Sequence, residues 1–163
     1  MSALHDLTAV QLLTAYREKT LSPVEVTRDV LAHIRAWEPH LHATYALNAD
    51  AALAQAEASH SRWARGEPQG ALDGVPLTIK ENIATKGVPV PLGTAATELV
   101  PAAADAPPAA RLREAGAVIL GKTTMPDYGM LSSGLSSFHA LTRNPWDLGK
   151  NPGGSSAGAA AAA

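Results

Sequence analysis

The chain of 163 residues carries 13 Lys and Arg against 15 Asp and Glu, a formal net charge of −2, and no cysteine. That balance excludes the basic footprint of a nucleic-acid or anionic-membrane binder, and the missing cysteines exclude disulfides, a thiolate nucleophile and a Cys-type zinc site. Aromatic residues make up only 4%, and no apolar run approaches the ~20 residues of a membrane helix.

Met1 to Thr8 shows neither a basic head nor an apolar stretch behind it, so no signal peptide is expected and the expected location is cytoplasmic. Asp6 or Thr8 caps a first helix over Ala9–Lys19, with Val10, Leu13 and Tyr16 on one face. Ser22-Pro23-Val24-Glu25 is a sharper start signal: Ser22 at the N-cap, Pro23 at the first helical position and Glu25 completing a capping box. Val26, Val30, Ile34 and Trp37 then recur at helical spacing, and Pro39 is expected to end the helix. An extended piece at Ala43–Leu47 follows. Asn48 or Asp50 caps an Ala-rich helix to Arg65, closed by Gly66.

At Leu72 the pattern changes. Asp73-Gly74 reads as a turn, and Val75–Ile79 as a short strand, apolar as strands covered on both faces are. Gly87 to Asp105 is a long loop. Pro107 and Pro108 fit the first turn of a helix to Ala115, with Gly116 just beyond its end, and Ala117–Lys122 reads as a second strand. Strand, loop, helix and strand in that order form a βαβ unit, hence a parallel pair with a right-handed crossover. Thr123 or Thr124 with Pro126 starts another helical turn. Gly129 to Asn151 is loop-like, with Trp146 as an expected buried anchor. The chain closes on Asn151-Pro152-Gly153-Gly154-Ser155-Ser156-Ala157-Gly158 and an alanine run to Ala163. A Gly/Ser loop feeding a helix start offers backbone amides to an anion or oxyanion. There is no internal repeat and no domain linker.

Two features carry chemistry. Lys80 follows the first strand, and in open α/β sheets functional residues collect at the carboxyl ends of strands. Desolvation there favours a neutral amine able to act as a base; the competing reading is a surface lysine paired with Glu81. Ser155 and Ser156 offer a hydroxyl relay or an oxyanion loop, against an ordinary N-cap serine. A phosphate loop fits less well, since no lysine follows the glycine pair. The histidines at 5, 33, 40, 42, 60 and 139 form no ligand set, so no metal and no cofactor is expected and they are assigned to surface or cap positions. Asp127 reads as a helix-start residue, with contact to substrate as the alternative.

Taken together, Leu72-Asp73-Gly74-Val75-Pro76 with Ile79-Lys80-Glu81-Asn82, then Asp105-Ala106-Pro107 with Arg111–Thr123, then Thr142-Arg143-Asn144-Pro145-Trp146 with Pro152–Gly158, resemble the amidase signature family, in family order and over nearly the whole chain. The resemblance implies an α/β fold with a mixed β-sheet core flanked by helices. Residues 1–163 would be the N-terminal portion of one such domain, with 1–70 a helical lead-in and 71–163 the start of the α/β core. It implies a Ser-cisSer-Lys triad. Lys80 matches the catalytic lysine, and Ser155, 75 residues on, matches the serine that bridges lysine and nucleophile through a cis peptide. The nucleophilic serine belongs in the family to a second Gly-Gly-Ser loop further along, so the 163-residue chain by itself is expected to be inactive. Gly129-Met130-Leu131-Ser132-Ser133 lies where the family lines its substrate pocket, which makes Met130 and Ser132 candidates for substrate contact.

The activity so implied is hydrolysis of a small-molecule amide to acid plus ammonia or amine, without cofactor, nucleic acid or membrane, and with a homodimer as a candidate assembly. Two rivals stand beside it. One is the transamidase subunit of a glutamine-dependent tRNA amidotransferase, which the resemblance disfavours because Ala157 stands where that subunit usually carries glycine. The other is a non-catalytic binding or assembly fragment.

Overall fold

The computed structural model describes residues 3–163; Met1 and Ser2, at the head of the stretch read for a leader, lie outside the described residues. Helix α1 spans Ala9–Glu18. Thr8 caps it: its Oγ1 accepts the Gln11 amide and the Gln11 side chain accepts the Thr8 amide. Helix α2 spans Pro23–Leu41. Its capping box is complete, with the Glu25 amide donating to Ser22 Oγ at 3.1 Å and the Ser22 amide to Glu25 Oε2 at 2.9 Å.

Pro39 does not end this helix, contrary to the sequence expectation, but sits inside its last turn. The lost amide of Pro39 is offset locally. The His42 amide still donates to Glu38 O at 3.0 Å, and the Glu38 carboxylate accepts the amides of Ala43 and Thr44.

Strand β1 is the pair Thr44–Tyr45, and helix α3 spans Ala49–Arg65. Asn48 caps α3 by accepting the Ala51 amide, and Gly66 closes it at φ +75°. Strand β2 is Pro76–Lys80, so Lys80 is the last strand residue rather than the residue after it. Helix α4 spans Pro107–Glu114, strand β3 Val118–Thr123 and helix α5 Ala157–Ala162. Short 3-10 turns occupy Leu4–Asp6 and Asp127–Gly129. The strands order as β1-β3-β2. β1 runs antiparallel to β3, Thr44 facing Thr123 and Tyr45 facing Lys122. The bonds Val118 N–H to Val75 O and Glu81 N–H to Thr123 O rise together in residue number, so β2 and β3 run parallel.

The chain divides into two compact units, each assembled from separate stretches. The first takes the residues up to Ala36, Asn48–Leu77 and Ala110–Leu120. Its core has two clusters: Val24, Leu31, Ala52, Ala56, Val118 and Leu120 in one, and Leu12, Tyr16, Val26 and Trp63 in the other. Ala52, Ala56 and Trp63 fall on one face of α3, where small side chains admit close neighbours. Each fully buried Val, Leu or Ile contributes about 1.5–3 kcal/mol.

One buried charge is built into this unit. Asp73, 0% exposed, accepts Arg62 Nε at 2.9 Å, Arg62 Nη2 at 2.5 Å and the Gln69 amide at 2.8 Å, while its backbone carbonyl accepts Trp63 Nε1 at 3.1 Å. Burial alone pushes the Asp73 carboxyl up. The Arg62 and Gln69 hydrogen bonds and the Arg62 charge outweigh that and hold it below the usual carboxylate range.

The second unit takes Trp37–Leu47, Thr78–Ala109 and Gly121–Ala163. Its buried apolar cluster is small, Leu41, Ala43 and Ala161. Hydrogen bonds between helix ends, the end of β3 and the loops hold much of it together. The Thr124 amide donates to Ala43 O, the Gly158 amide to Thr124 O and the Arg143 amide to Leu41 O, while the hydroxyls of Thr124 and Thr142 meet at 2.8 Å. A methyl group at Gly158 would overlap the Ala43 carbonyl oxygen and the Thr124 amide, so only glycine lets α5 start against the end of β3. Trp146 is 95% exposed and is no buried anchor. It sits in the tight turn Asn144–Asp147, its amide held by Asn144 Oδ1, and the turn carries the ring into solvent.

Candidate active site

Lys80 and Ser155 meet in the second unit. β2 delivers Lys80 at its carboxyl end, and Lys80 Nζ donates a hydrogen bond to Ser155 Oγ at 2.9 Å. The Gly154–Ser155 peptide bond is cis. The loop carrying Ser155 lies on a second irregular segment. A Cβ at Gly154 would come within 2.7 Å of the Ser133 amide nitrogen and 2.8 Å of Leu131 O, and a Cβ at Gly129 would stand 3.8 Å from Ser155 Oγ. Both Lys80 and Ser155 are half-buried. Met130, 82% exposed, and the exposed Ser132 follow Gly129 on that segment, open to solvent rather than packed against Lys80. Ser156 is the N-cap of α5 and makes no side-chain cap bond.

Glu81, which the sequence offered as a surface partner for Lys80, is fully buried and engaged elsewhere. Its Oε1 accepts the Gly93 amide at 2.7 Å, and its Oε2 pairs with His139 Nε2. The surface assignment of His139 is therefore corrected: its side chain is only 7% exposed. Lys122 is also inside, 1% exposed, with no hydrogen-bond partner for its ammonium nitrogen. Burial pushes the Lys122 amine down, and the negative charge of Glu81 partly opposes that. Tyr45, opposite Lys122 in the β1–β3 register, stands edge-on to Phe138 and His139, and burial first and Glu81 second push its phenol up. Nothing in the local pattern marks this cluster. The one available signal is that Glu81 directly follows Lys80 at a strand end.

Asp127 opens the 3-10 turn and accepts the Ser137 hydroxyl at 2.6 Å and the Ser137 amide at 3.1 Å. The Ser137 hydroxyl above all holds its carboxyl below the usual range. Among the described residues no group of three or more His, Cys, Asp or Glu could hold a metal ion, and no helix is long and apolar enough to cross a membrane. A cavity of about 350 Å³ opens in the first unit beside Tyr16, Lys19, His60 and Trp63. Its polar groups are largely engaged: Tyr16 OH donates to Gly74 O, Lys19 Nζ to Ala64 O and Trp63 Nε1 to Asp73 O.

The family profile described as Amidase matches residues 25–163. Over 162 residues the chain is 44% identical to a glutamyl-tRNA(Gln) amidotransferase subunit of Acidothermus cellulolyticus, covering 99% of this chain and 32% of that protein. Among solved structures, a bacterial aryl acylamidase of the amidase signature enzymes superposes with a TM-score of 0.89 at 32% identity, covering 98% of this chain and 34% of the other. The peptide amidase of Stenotrophomonas maltophilia superposes with a TM-score of 0.86, also at 32% identity, covering 94% and 33%. The chain thus spans about a third of the length of the relatives it matches.

Proposed function

Because the chain belongs to the amidase signature family, we propose that the full-length protein cleaves a carboxamide through an acyl-enzyme, with Lys80 as the base and Ser155 as the hydroxyl that hands on the proton. The observation that carries this reading is the 2.9 Å contact between Lys80 Nζ and Ser155 Oγ. With the amine neutral, the same contact runs in reverse. The Ser155 hydroxyl donates to Nζ, and Ser155 Oγ is free to take a proton from a nucleophilic serine supplied outside these residues.

That serine's oxygen bonds to the amide carbon, and the carbonyl electrons move onto oxygen to give a tetrahedral oxyanion held by backbone amides. On collapse the C–N bond breaks. The proton stored on Lys80 returns through Ser155 to the nitrogen, which leaves as ammonia or an amine. Water then attacks the ester by the same relay, and the products are an acid and the free serine. Engagement of Glu81 by Gly93 and His139 supports the reading further, since that carboxylate is occupied away from Lys80.

A second reading has its own support, the 44% identity to an amidotransferase subunit. In it the carboxamide is glutamine, and partner subunits complete the transfer. The relay chemistry is the same, so substrate range separates the two.

The test is ammonia release by the full-length protein from simple carboxamides and from glutamine, with and without candidate partner subunits. Turnover of simple amides by the protein alone supports the amidase. Turnover of glutamine alone, dependent on partners, moves the assignment to the second reading. In either case Lys80→Ala and Ser155→Ala are each expected to lower kcat by about 10³–10⁴-fold with KM little changed. Near-normal turnover in either variant refutes the relay.

A further inference from the structure

The relay does not use Glu81, His139 or Lys122, yet these three ionisable side chains are buried together beside it. A cation without a partner in the interior is costly, by several kcal/mol, unless an opposite charge lies near. Lys122 Nζ makes no hydrogen bond, and Glu81 is the carboxylate whose field reaches it.

Glu81 also ties three segments to one point. Its own amide donates to Thr123 O and so fixes the end of β2, one residue from Lys80, against β3. Its Oε1 holds the Gly93 amide, while the Gly93 carbonyl accepts the Ser136 hydroxyl at 2.5 Å. The adjoining Leu92 carbonyl accepts the Tyr128 amide at 2.7 Å, and Gly129, next in the chain, faces Ser155. Its Oε2 holds His139, in the segment whose Ser136 hydroxyl accepts the amides of Phe138 and His139.

We propose that Glu81, with His139 and Lys122 as its buried partners, is the positioning residue of this site: it sets the approach of Lys80 to Ser155 by clamping the end of β2, the Leu92–Gly93 turn and the Ser136–His139 segment together. Glu81 itself touches neither substrate nor relay atom. The inference rests on the relay described above, and its energetic signature is charge balance. Glu81→Gln leaves the Lys122 charge uncompensated, while removal of both charges restores neutrality at similar volume.

The experiment is a double-mutant cycle in the full-length protein, reading kcat and KM on the amide it cleaves. Glu81→Gln is expected to lower kcat by about 10–100-fold, as a displacement of reacting groups by about 1 Å does, with KM changed less than about 3-fold. The pair Glu81→Gln with Lys122→Met is expected to recover at least about tenfold of that loss, a coupling that independent structural defects do not show.

Two His139 variants keep the proposal testable if Glu81→Gln fails to fold. His139→Gln, which keeps a donor for Glu81, is expected to stay within a few-fold of the parent, and His139→Ala to lose about 10–100-fold in kcat. Additive losses in the cycle, equal losses in the two His139 variants, or a rise in KM at constant kcat overturns the proposal. Lys80→Ala separates the two ideas. Full turnover in that variant removes the relay, whereas an inactive Lys80→Ala beside an unaffected Glu81→Gln removes only the positioning role.

Discussion

Replacing Asp73 with alanine removes a fully buried carboxylate that accepts two bonds from Arg62 and one from the Gln69 amide. Breaking a buried pair by deleting one partner costs about 3–5 kcal/mol. The Arg62 side chain is 22% exposed, so the stranded guanidinium regains water on one side and the low end, about 3 kcal/mol, applies. That is about a 150-fold loss in the folding equilibrium. With a urea dependence of about 2 kcal/mol per molar it lowers the unfolding midpoint by about 1.5 M. Asp73→Asn keeps one acceptor oxygen for Gln69 but turns a donor toward Arg62, and falls between the parent and Asp73→Ala. The assay is urea unfolding followed by circular dichroism at neutral and acid pH.

The folded Asp73 carboxyl lies below its unfolded value, so its contribution is fully present above the unfolded value of about 3.9 and disappears as pH falls through the lower folded one. The parent should therefore lose this increment on acidification and Asp73→Asn should not. A midpoint shift under about 0.5 M in Asp73→Ala, corresponding to about 1 kcal/mol, would refute the reasoning.

Two further outcomes are expected. Gly158→Ala drives a methyl into the Ala43 carbonyl and the Thr124 amide; it should destabilise by about 1–3 kcal/mol in urea, and a neutral midpoint contradicts the packing described. Ser137→Ala removes the donor that most lowers the Asp127 carboxyl, so an NMR titration should find Asp127 closer to the ordinary value of about 3.9; an unmoved titration contradicts it.

Elements whose signals are local were readable in the residues. The Ser22–Glu25 box, the Asn48 cap and the Gly66 terminator each act within one helical turn, and each is present. The parallel pairing of β2 and β3 followed from strand, helix and strand in order, because the backbone allows few other connections. Pro39 was misread because its rule considers only the missing amide and not the Glu38 carboxylate that supports the same turn. Trp146 was misread because hydrophobicity alone does not say which way a turn points its ring. The site divides in the same way. Lys80 and the Gly/Ser loop stand out as residues, whereas Glu81 and His139 lie 58 positions apart and pair only through the fold. Asp73, read as a turn residue, owes its role to a partner 11 positions upstream.

The Lys80–Ser155 contact spans 75 residues of chain, and this bears on how the site comes apart. Closing a loop of that length costs about 4 kcal/mol of chain entropy, and closure grows cheaper by about 0.6 kcal/mol for each halving of the open segment. Once β2 and β3 have paired, the stretch that still separates the two partners runs from Thr123 to Ser155, and apart from one 3-10 turn it holds no helix or strand. Such a stretch opens locally at a fraction of the global free energy. The Lys80–Ser155 contact is therefore expected to break before the β2–β3 pairing does. That contact should be lost on warming or in mild denaturant while the sheet is still paired, which makes it a more sensitive gauge of this fold's integrity than its secondary structure.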